Sequence, residues 1–211
     1  MLLVQTCFIP AMADKKLALV CEKWLKRLKG RLDERQFGYL ENLRLAKFGH
    51  TVFAGRLLAR LMLLSALSPG QKLFSKNTGF PLLENPGYAV CFSYCSTLAA
   101  SALFTPPCAR ENLRFALDVE EAKNIDKANG PFYSLRHLKN WLKYEIAIKA
   151  APARPLLAKM NKISPIKREE YAGGGFWHKF VAMPGHIIGI GANFPLPKKI
   201  TLEVMDIRQF L

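Results

Sequence analysis

Three acidic side chains lie within four positions of a chain that is otherwise strongly basic: Asp118, Glu120 and Glu121 stand among 16 acidic residues, against 31 lysines and arginines. Apolar and polar residues alternate from Phe115 onward, which predicts a strand with Asp118 and Glu120 about 6–7 Å apart on one face. Two carboxylates so close repel, and a divalent cation relieves the repulsion. Oxygen ligands on a rigid strand suit Mg²⁺, which takes phosphate oxygens as further ligands. The alternative is a strand end that meets solvent beside Lys123.

A further carboxylate lies on a predicted helix. The apolar spacing from Ser134 to Ala151 is typical of a helix, and Trp141, Glu145 and Lys149 are spaced by four residues on one of its faces. Glu145 could therefore add a third oxygen ligand to the two strand acids. The alternative is an ordinary helical ion pair between Glu145 and Lys149, worth about 0.3–0.5 kcal/mol.

Basic amphipathic helices are predicted in the first half of the chain. Apolar spacing indicates one helix from Lys15 to Leu32 and one long helix from Asn42 to Leu67, which Ser-Pro-Gly at 68–70 ends. A solvated face is the alternative interpretation of their cations. The apolar opening residues lack a preceding cation and are interrupted by Pro10, which favours an opening strand over a secretory signal.

Short strands follow each helical region. Gly79–Leu83 and Tyr88–Cys95 read as strands, 96–104 is ambiguous, and Gly173–Phe194 reads as strand, Met-Pro-Gly turn and strand. Gly-Phe and Pro-Gly dipeptides recur at offsets of 96 and 98 residues, which suggests two related α+β halves. A proline-marked boundary at 105–114 predicts a division into residues 1–107 and 108–211.

The composition limits the classes of partner. Half of the 211 residues are hydrophobic, which is enough for a core, and no run approaches the ~20 apolar residues of a membrane-spanning helix. A net charge of +15 indicates a polyanionic partner, and nucleic acid, acidic lipid, a nucleotide and an acidic protein all qualify. Five cysteines without zinc-ligand spacing indicate reduced thiols and a cytoplasmic location.

The ordered set of motifs resembles the Sfp-like 4′-phosphopantetheinyl transferases. The strand signature of that family, Gly-Val/Ile-Asp-Ile/Val-Glu, corresponds here to Ala116–Glu120. The helix signature, Trp-Ser/Thr-x-Lys-Glu-Ala/Ser-x-x-Lys, corresponds to Trp141–Lys149. Phe53–Leu64 is similar to the basic helix of the family, and Asn77–Pro81 and Ala89–Cys95 stand where its Gly-Lys-Pro and Ser-His-Ser elements lie. The tail of the chain is similar to its closing strands.

The resemblance implies a fold, an activity and a set of site residues. The fold has two similar α/β subdomains related by a pseudo-twofold, each with a small antiparallel sheet and a long helix. The activity is transfer of 4′-phosphopantetheine from coenzyme A to a serine of an apo acyl or peptidyl carrier protein, with release of 3′,5′-ADP. Asp118, Glu120 and Glu145 would hold Mg²⁺, Glu145 would also act as general base, and Lys149 would stabilise the leaving phosphate. The residues implied in coenzyme A binding are Lys47, Arg56, Arg60, Lys76 and Ser93.

Four positions depart from the family pattern. Phe80 stands where the family has Lys, and Tyr94 stands in place of the His of Ser-His-Ser. Ala116 replaces the Gly before the acids, and Tyr144 replaces the Lys before Glu145. The Lys and the His belong to coenzyme A binding in the family. Their loss therefore affects the expected coenzyme A site more than the expected metal site.

Two alternatives stay open beside the transferase. One is a degenerate relative that binds carrier protein or coenzyme A without transfer. The other is a basic nucleic-acid-binding protein, which suits a pI near 9.8 but leaves the clustered acids unexplained. The favoured partners are coenzyme A and an acidic carrier protein, with neither nucleic acid nor a membrane. A monomer is expected because both halves lie in one chain.

Overall fold

The computed structural model describes residues 1–45, 49–75, 81–85, 87–106, 113–125, 134–150 and 176–211. The chain forms two compact units, Met1–Ala109 with Lys199–Leu211, and Arg110–Lys198. The described residues form a mixed α+β structure with small sheets and four helices. The division lies close to the predicted one after residue 107. The closing segment belongs to the first unit and not to the second half, because its strand pairs with the first strand of the chain.

The elements are numbered in chain order. Those of the first unit, up to its closing strand, are β1 (Leu2–Phe8), α1 (Asp14–Leu28), α2 (Glu34–Leu45), α3 (His50–Ser65), β2 (Leu73–Ser75), β3 (Pro81–Leu83), β4 (Ala89–Tyr94) and β5 (Leu98–Phe104). Those of the second unit are β6 (Phe115–Glu121), α4 (Leu135–Lys149), β7 (Trp177–Met183) and β8 (His186–Ala192). The chain then returns to the first unit with β9 (Thr201–Val204).

The first unit is built on a four-stranded sheet in the order β4-β5-β1-β9. β5 is antiparallel to β4 and β1, and β9 is parallel to β1. Helices α1 and α3 pack together, and Trp24, Leu57 and Met62 are completely buried in the resulting core. The ambiguous run 96–104 supplies the central strand β5, which is buried at every position. Pairing with a strand on each side overrides the helical preference of its alanines.

The predicted long helix from 42 to 67 is wrong, because this stretch contains parts of two helices. α2 ends at Leu45, and α3 begins at His50 after Gly49, whose φ of −53° and ψ of 138° are extended rather than helical. The predicted stop after α3 is confirmed, since the helix ends at Ser65 shortly before Ser-Pro-Gly. The opening strand is also confirmed as β1.

The second unit has an antiparallel sheet in the order β6-β8-β7, with α4 against β6 and β8. The predicted strand at 115–120, the helix after Ser134 and the closing hairpin are all confirmed. The Ser134 hydroxyl caps α4 by accepting a hydrogen bond of 3.2 Å from the His137 N–H. Gly185 has a φ of +70° in the turn between β7 and β8, a conformation that favours glycine.

Part of the element order recurs in the two units, once α1, α2, β2 and β3 of the first unit are set aside. Each has a strand, a helix and then a hairpin, namely β1-α3-β4-β5 and β6-α4-β7-β8. In each, the second hairpin strand is central and pairs antiparallel with the first strand. The Pro-Gly match does not align the units, because Pro184-Gly185 lies inside the β7–β8 hairpin whereas Gly87 precedes β4. Across the described ranges, no helix combines the length and apolarity needed to cross a membrane.

Candidate functional site

Two glycines let α4 lie unusually close to the sheet of the second unit. A Cβ on Gly191 would lie 2.5 Å from Ile146 Cγ2, and one on Gly189 would lie 2.8 Å from Ile146 Cδ1. Gly189 is the cross-strand partner of Asp118, so both point to the side of the sheet that α4 covers. The close approach brings the polar side chains of β6 within reach of the helix.

The polar face of β6 contacts the face of α4 that carries Trp141, Glu145 and Lys149 at two points. Near the end of the helix, the Lys149 ammonium forms an ion pair with Asp118. Nearly two turns past the start of the helix, the Trp141 indole N–H donates a hydrogen bond of 3.3 Å to a Glu120 carboxylate oxygen. The alternation predicted for β6 is therefore confirmed, with Asp118 and Glu120 on the helix side. We call this line of contact, formed by these four residues and Glu145, the carboxylate seam.

Glu145 lies between the two ends of the carboxylate seam. It is one turn from Trp141 and one turn from Lys149, about 6 Å along the helix axis from each. It is half-buried, as is Glu120, whereas Asp118 is 6% exposed. The three carboxylates and the one ammonium sum to a formal charge of −2, which one divalent cation would neutralise. The five predicted residues of α4 and β6 are thus brought to one face of one unit.

The carboxylate oxygens of the seam are not gathered into a tight cluster. In the described part of the second unit, no three His, Cys, Asp or Glu side chains have ligand atoms that all lie within 4.8 Å of one another. Carboxylates repel one another, and Asp118 is held by Lys149. The donor set still fits Mg²⁺ in its chemistry, since it offers the hard oxygen ligands that Mg²⁺ prefers.

The third acidic position of β6 was not included among the predicted site residues. Glu121 is 5% exposed, pairs with Lys123, and is the cross-strand partner of the buried His186. A Glu121 carboxylate oxygen and a His186 ring nitrogen lie within 4.8 Å of each other. His186 Nδ1 also lies 2.7 Å from the Pro184 carbonyl oxygen. Only the β6–β8 register brings Glu121 and His186 together, so the sequence carried no local signal for them.

Arg60 of the first unit is buried and already bound by protein groups. Its Nε and Nη2 donate to Gln36 Oε1 at 3.0 and 2.8 Å, and its Nη1 donates to the Arg56 carbonyl oxygen at 3.0 Å. The guanidinium also lies over the Phe92 ring, 4.3 Å from its centroid. Burial, followed by the charge of Arg56, lowers the pKa of Arg60 to about 9, which leaves it a cation at neutral pH. Arg60 is therefore held by groups of the first unit, and its role in coenzyme A binding stays a prediction.

Arg56 is the cation of this cluster that could receive an anion. Its guanidinium lies between the rings of Tyr39 and Tyr94, with its Cζ 5.3 and 5.0 Å from their centroids. Its Nε is buried without a hydrogen-bond partner among the described residues. Gly55 allows the contact with Tyr94, because a Cβ at Gly55 would lie 2.9 Å from the Tyr94 side chain. Tyr94, one of the departures from the family pattern, thus helps to position Arg56.

Of the other predicted coenzyme A ligands, the structure describes Arg60, which lies beside Arg56, and Ser93, which does not. Ser93 is 4% exposed and lies on the opposite face of β4, since its neighbours Phe92 and Tyr94 point towards α3. Lys47 and Lys76 lie outside the described residues. The structure therefore places Asp118 beside Lys149 and Glu120 beside Trp141, and the predicted metal and nucleotide sites stay predictions.

No family model matches the chain, and no curated protein matches it at a significant level.

Proposed function

We propose that the protein is a Mg²⁺-dependent 4′-phosphopantetheinyl transferase that acts on an acidic carrier protein. The single observation that carries the proposal is the carboxylate seam, in which Asp118 and Glu120 face Trp141 and Lys149 with Glu145 between them. The repeated strand, helix and hairpin order of the two units supports the pseudo-twofold fold that this activity implies.

The chemistry proposed for the seam is the attack of a carrier serine on the pyrophosphate of coenzyme A. Asp118, Glu120 and Glu145 would hold the ion, and Mg²⁺ would supply neutralisation of the negative charge on the pyrophosphate oxygens. Glu145 would accept the serine proton, directly or through one water. A bond forms between the serine oxygen and the attacked phosphorus. The bond from that phosphorus to the bridging oxygen breaks, and its electron pair leaves with 3′,5′-ADP.

Lys149 would act on the leaving group. Its ammonium is already held at the seam by Asp118, and a fixed cation stabilises negative charge that develops on a phosphate. Trp141 would position Glu120 through its N–H, and it has no role in moving a proton. Within the first unit, Arg56 is a candidate ligand for an anion, because aromatic rings hold its guanidinium and its Nε lacks a partner among the described residues.

One observation favours the degenerate relative as a second candidate. Arg60 donates to Gln36, and Ser93 lies on the opposite face of β4 from Tyr94, which would weaken binding of coenzyme A. A chain with a weakened nucleotide site would retain binding of the carrier protein without transferring the pantetheine arm.

Mass spectrometry tests the proposal directly. The protein is mixed with coenzyme A, MgCl₂ and a panel of apo carrier proteins, and a phosphopantetheine mass increment on the carrier is the expected result. Chelation of Mg²⁺ should abolish it, and Asp118→Asn or Glu145→Gln should lower the rate by at least about 100-fold. Glu22→Gln, at an exposed carboxylate of α1, is the matched control and should transfer normally. Carrier binding without any mass gain would favour the degenerate relative instead.

A further inference from the structure

A groove runs between α4 and the edge strand β7 of the second unit. Its volume is about 460 Å³. The residues that line it are Leu135, Arg136, Lys139, Asn140, Lys143 and Phe180. The lining contains three cations and no carboxylate, and Leu135 is 46% exposed at the start of the helix. The groove therefore combines positive charge with uncovered apolar surface.

The cations of the groove form a single stripe along α4. Arg136, Lys139 and Lys143 are spaced by three and four residues, so they share one helix face. None of them has an ion-pair partner among the residues that the structure describes. Lys139 instead lies over the Phe180 ring, with its Nζ 5.5 Å from the centroid. The stripe thus offers charge for an anionic partner.

The groove is distinct from the carboxylate seam. Leu138, Leu142 and Ile146 form the apolar stripe with which α4 packs on the sheet. Helical spacing places the cations on one side of that stripe and Glu145 on the other. A helix is about 10 Å wide and a small domain about 30 Å across, so a partner seated in the groove could still present a residue to the seam.

We propose that this groove is the docking surface for the acidic carrier protein, an inference that rests on the proposed transferase function. The cations would meet acidic side chains of the carrier, and Leu135 with Phe180 would contact an apolar side chain between them. Charge complementarity sets orientation and the rate of encounter, whereas the apolar contact adds affinity. Nucleic acid fits the groove less well, because Leu135 offers no hydrogen bond or charge to a phosphate backbone.

Binding is measured apart from transfer. The probe is a fluorescently labelled acyl carrier protein whose acceptor serine is replaced by alanine, and its anisotropy is followed on titration with the full-length protein. Arg136→Glu/Lys139→Glu should raise the dissociation constant by about tenfold or more. Leu135→Ser should raise the dissociation constant by a smaller factor. The salt dependence of binding should stay unchanged, since no charge is removed.

The matched control is Lys15→Glu/Lys16→Glu, which makes the same change in net charge at two exposed positions of α1. Equal weakening by the two double variants would show that only overall charge matters and would overturn the proposal. Unchanged binding by the groove variant, or no carrier binding by the natural protein, would also overturn it. Normal carrier binding with no mass gain in the transfer assay would instead remove the proposed function and leave the docking surface intact.

Discussion

Lys149, the last residue of α4, forms an ion pair with Asp118 in the middle of β6. The Asp118 side chain is 9% exposed and that of Lys149 is 37% exposed, so the pair is shielded from solvent mainly on the carboxylate side. The contact fixes the end of the helix over the strand acids. It also places a monovalent cation where the sequence pattern led us to expect a divalent one.

Replacing Lys149 should lower stability and make stability depend on Mg²⁺. Lys149→Met should lower the free energy of unfolding by roughly 1–3 kcal/mol, because the buried Asp118 loses its counter-ion. Added MgCl₂ should recover part of the loss, since the formal charge of the seam falls from −2 to −3. Urea titrations with and without MgCl₂ measure both effects. Lys23→Met, at an exposed position of α1, is the control. A variant that Mg²⁺ does not stabilise would argue against a cation at the seam.

The close approach of α4 predicts that β8 will not accept even one methyl group. Gly191→Ala should destabilise the protein by about 1–3 kcal/mol, because the new Cβ would overlap the Ile146 side chain. The loss should be less than additive when combined with Ile146→Ala, which makes room for it. Gly38→Ala in α2 has free space around the new Cβ and should stabilise by about 0.5–1 kcal/mol. Additive losses in the double variant would show that the contact is not the cause.

The buried Arg60 depends on Gln36 for its hydrogen bonds. Gln36→Leu should destabilise by about 3 kcal/mol, since the guanidinium Nε and Nη2 lose their acceptor in a buried site. Gln36→Glu keeps an acceptor and adds an opposite charge, so it should be much more stable than the leucine variant. Gln209→Leu, at an exposed position, should change stability by less than about 0.5 kcal/mol. Thermal unfolding of the three variants separates these outcomes.

The two deeply buried thiols should be inert in the native protein. Burial, with smaller contributions from Asp206 and Glu22 respectively, raises the pKa of Cys7 and of Cys21 from 9.0 to about 12. Because the folded pKa exceeds the unfolded one, the protonated thiols stabilise the fold fully below pH 9, and this contribution is lost as the pH rises from 9 to 12. Alkylation at pH 8 followed by peptide mapping should modify Cys95, which is half-buried, well before either buried thiol. Cys7→Ala/Cys21→Ala should show a shallower fall in stability above pH 9.

The backbone carbonyl of Phe210 anchors the last residues to α1. Trp24 Nε1 and Arg27 Nη1 both donate to it, at 2.6 and 2.7 Å, and the Phe210 side chain is 3% exposed. Deletion of residues 210 and 211 should therefore destabilise by about 3–5 kcal/mol. Deletion of Leu211 alone removes a half-exposed side chain and leaves an acceptor for both donors, so it should be nearly neutral. Equal losses in the two truncations, measured by urea unfolding, would contradict this reading.

Local patterns were sufficient for the elements that carry the carboxylate seam. The alternation after Phe115 predicted the strand and the side on which Asp118 and Glu120 lie, and the spacing of four predicted the shared face of Trp141, Glu145 and Lys149. These features follow from the periods of a strand and a helix, which depend only on the backbone. The same reasoning failed from 42 to 67, where apolar spacing continued past the extended Gly49 that precedes α3.

The first unit shows where local patterns were not sufficient. Arg60 and Arg56 are both arginines on one helix, yet one is buried against Gln36 and the other lies between Tyr39 and Tyr94. Gln36 and Tyr39 come from the part of α2 before residue 42, where the sequence analysis predicted no element. The partner of an arginine in a fold depends on which elements pack together, and residue spacing along one helix does not contain that information.

By itself, the sequence determined the acids of β6, the face of α4, the basic character of the chain and most of its strands, because each depends on short-range periodicity or on composition. Only the tertiary structure decided that Lys149 pairs with Asp118, that Glu121 lies beside His186, that Ser93 points away from Arg56 and that β9 returns to β1. These are contacts between residues far apart in the chain. They arise when whole faces of helices and sheets are buried together, since that burial gains more free energy than any local preference that opposes it.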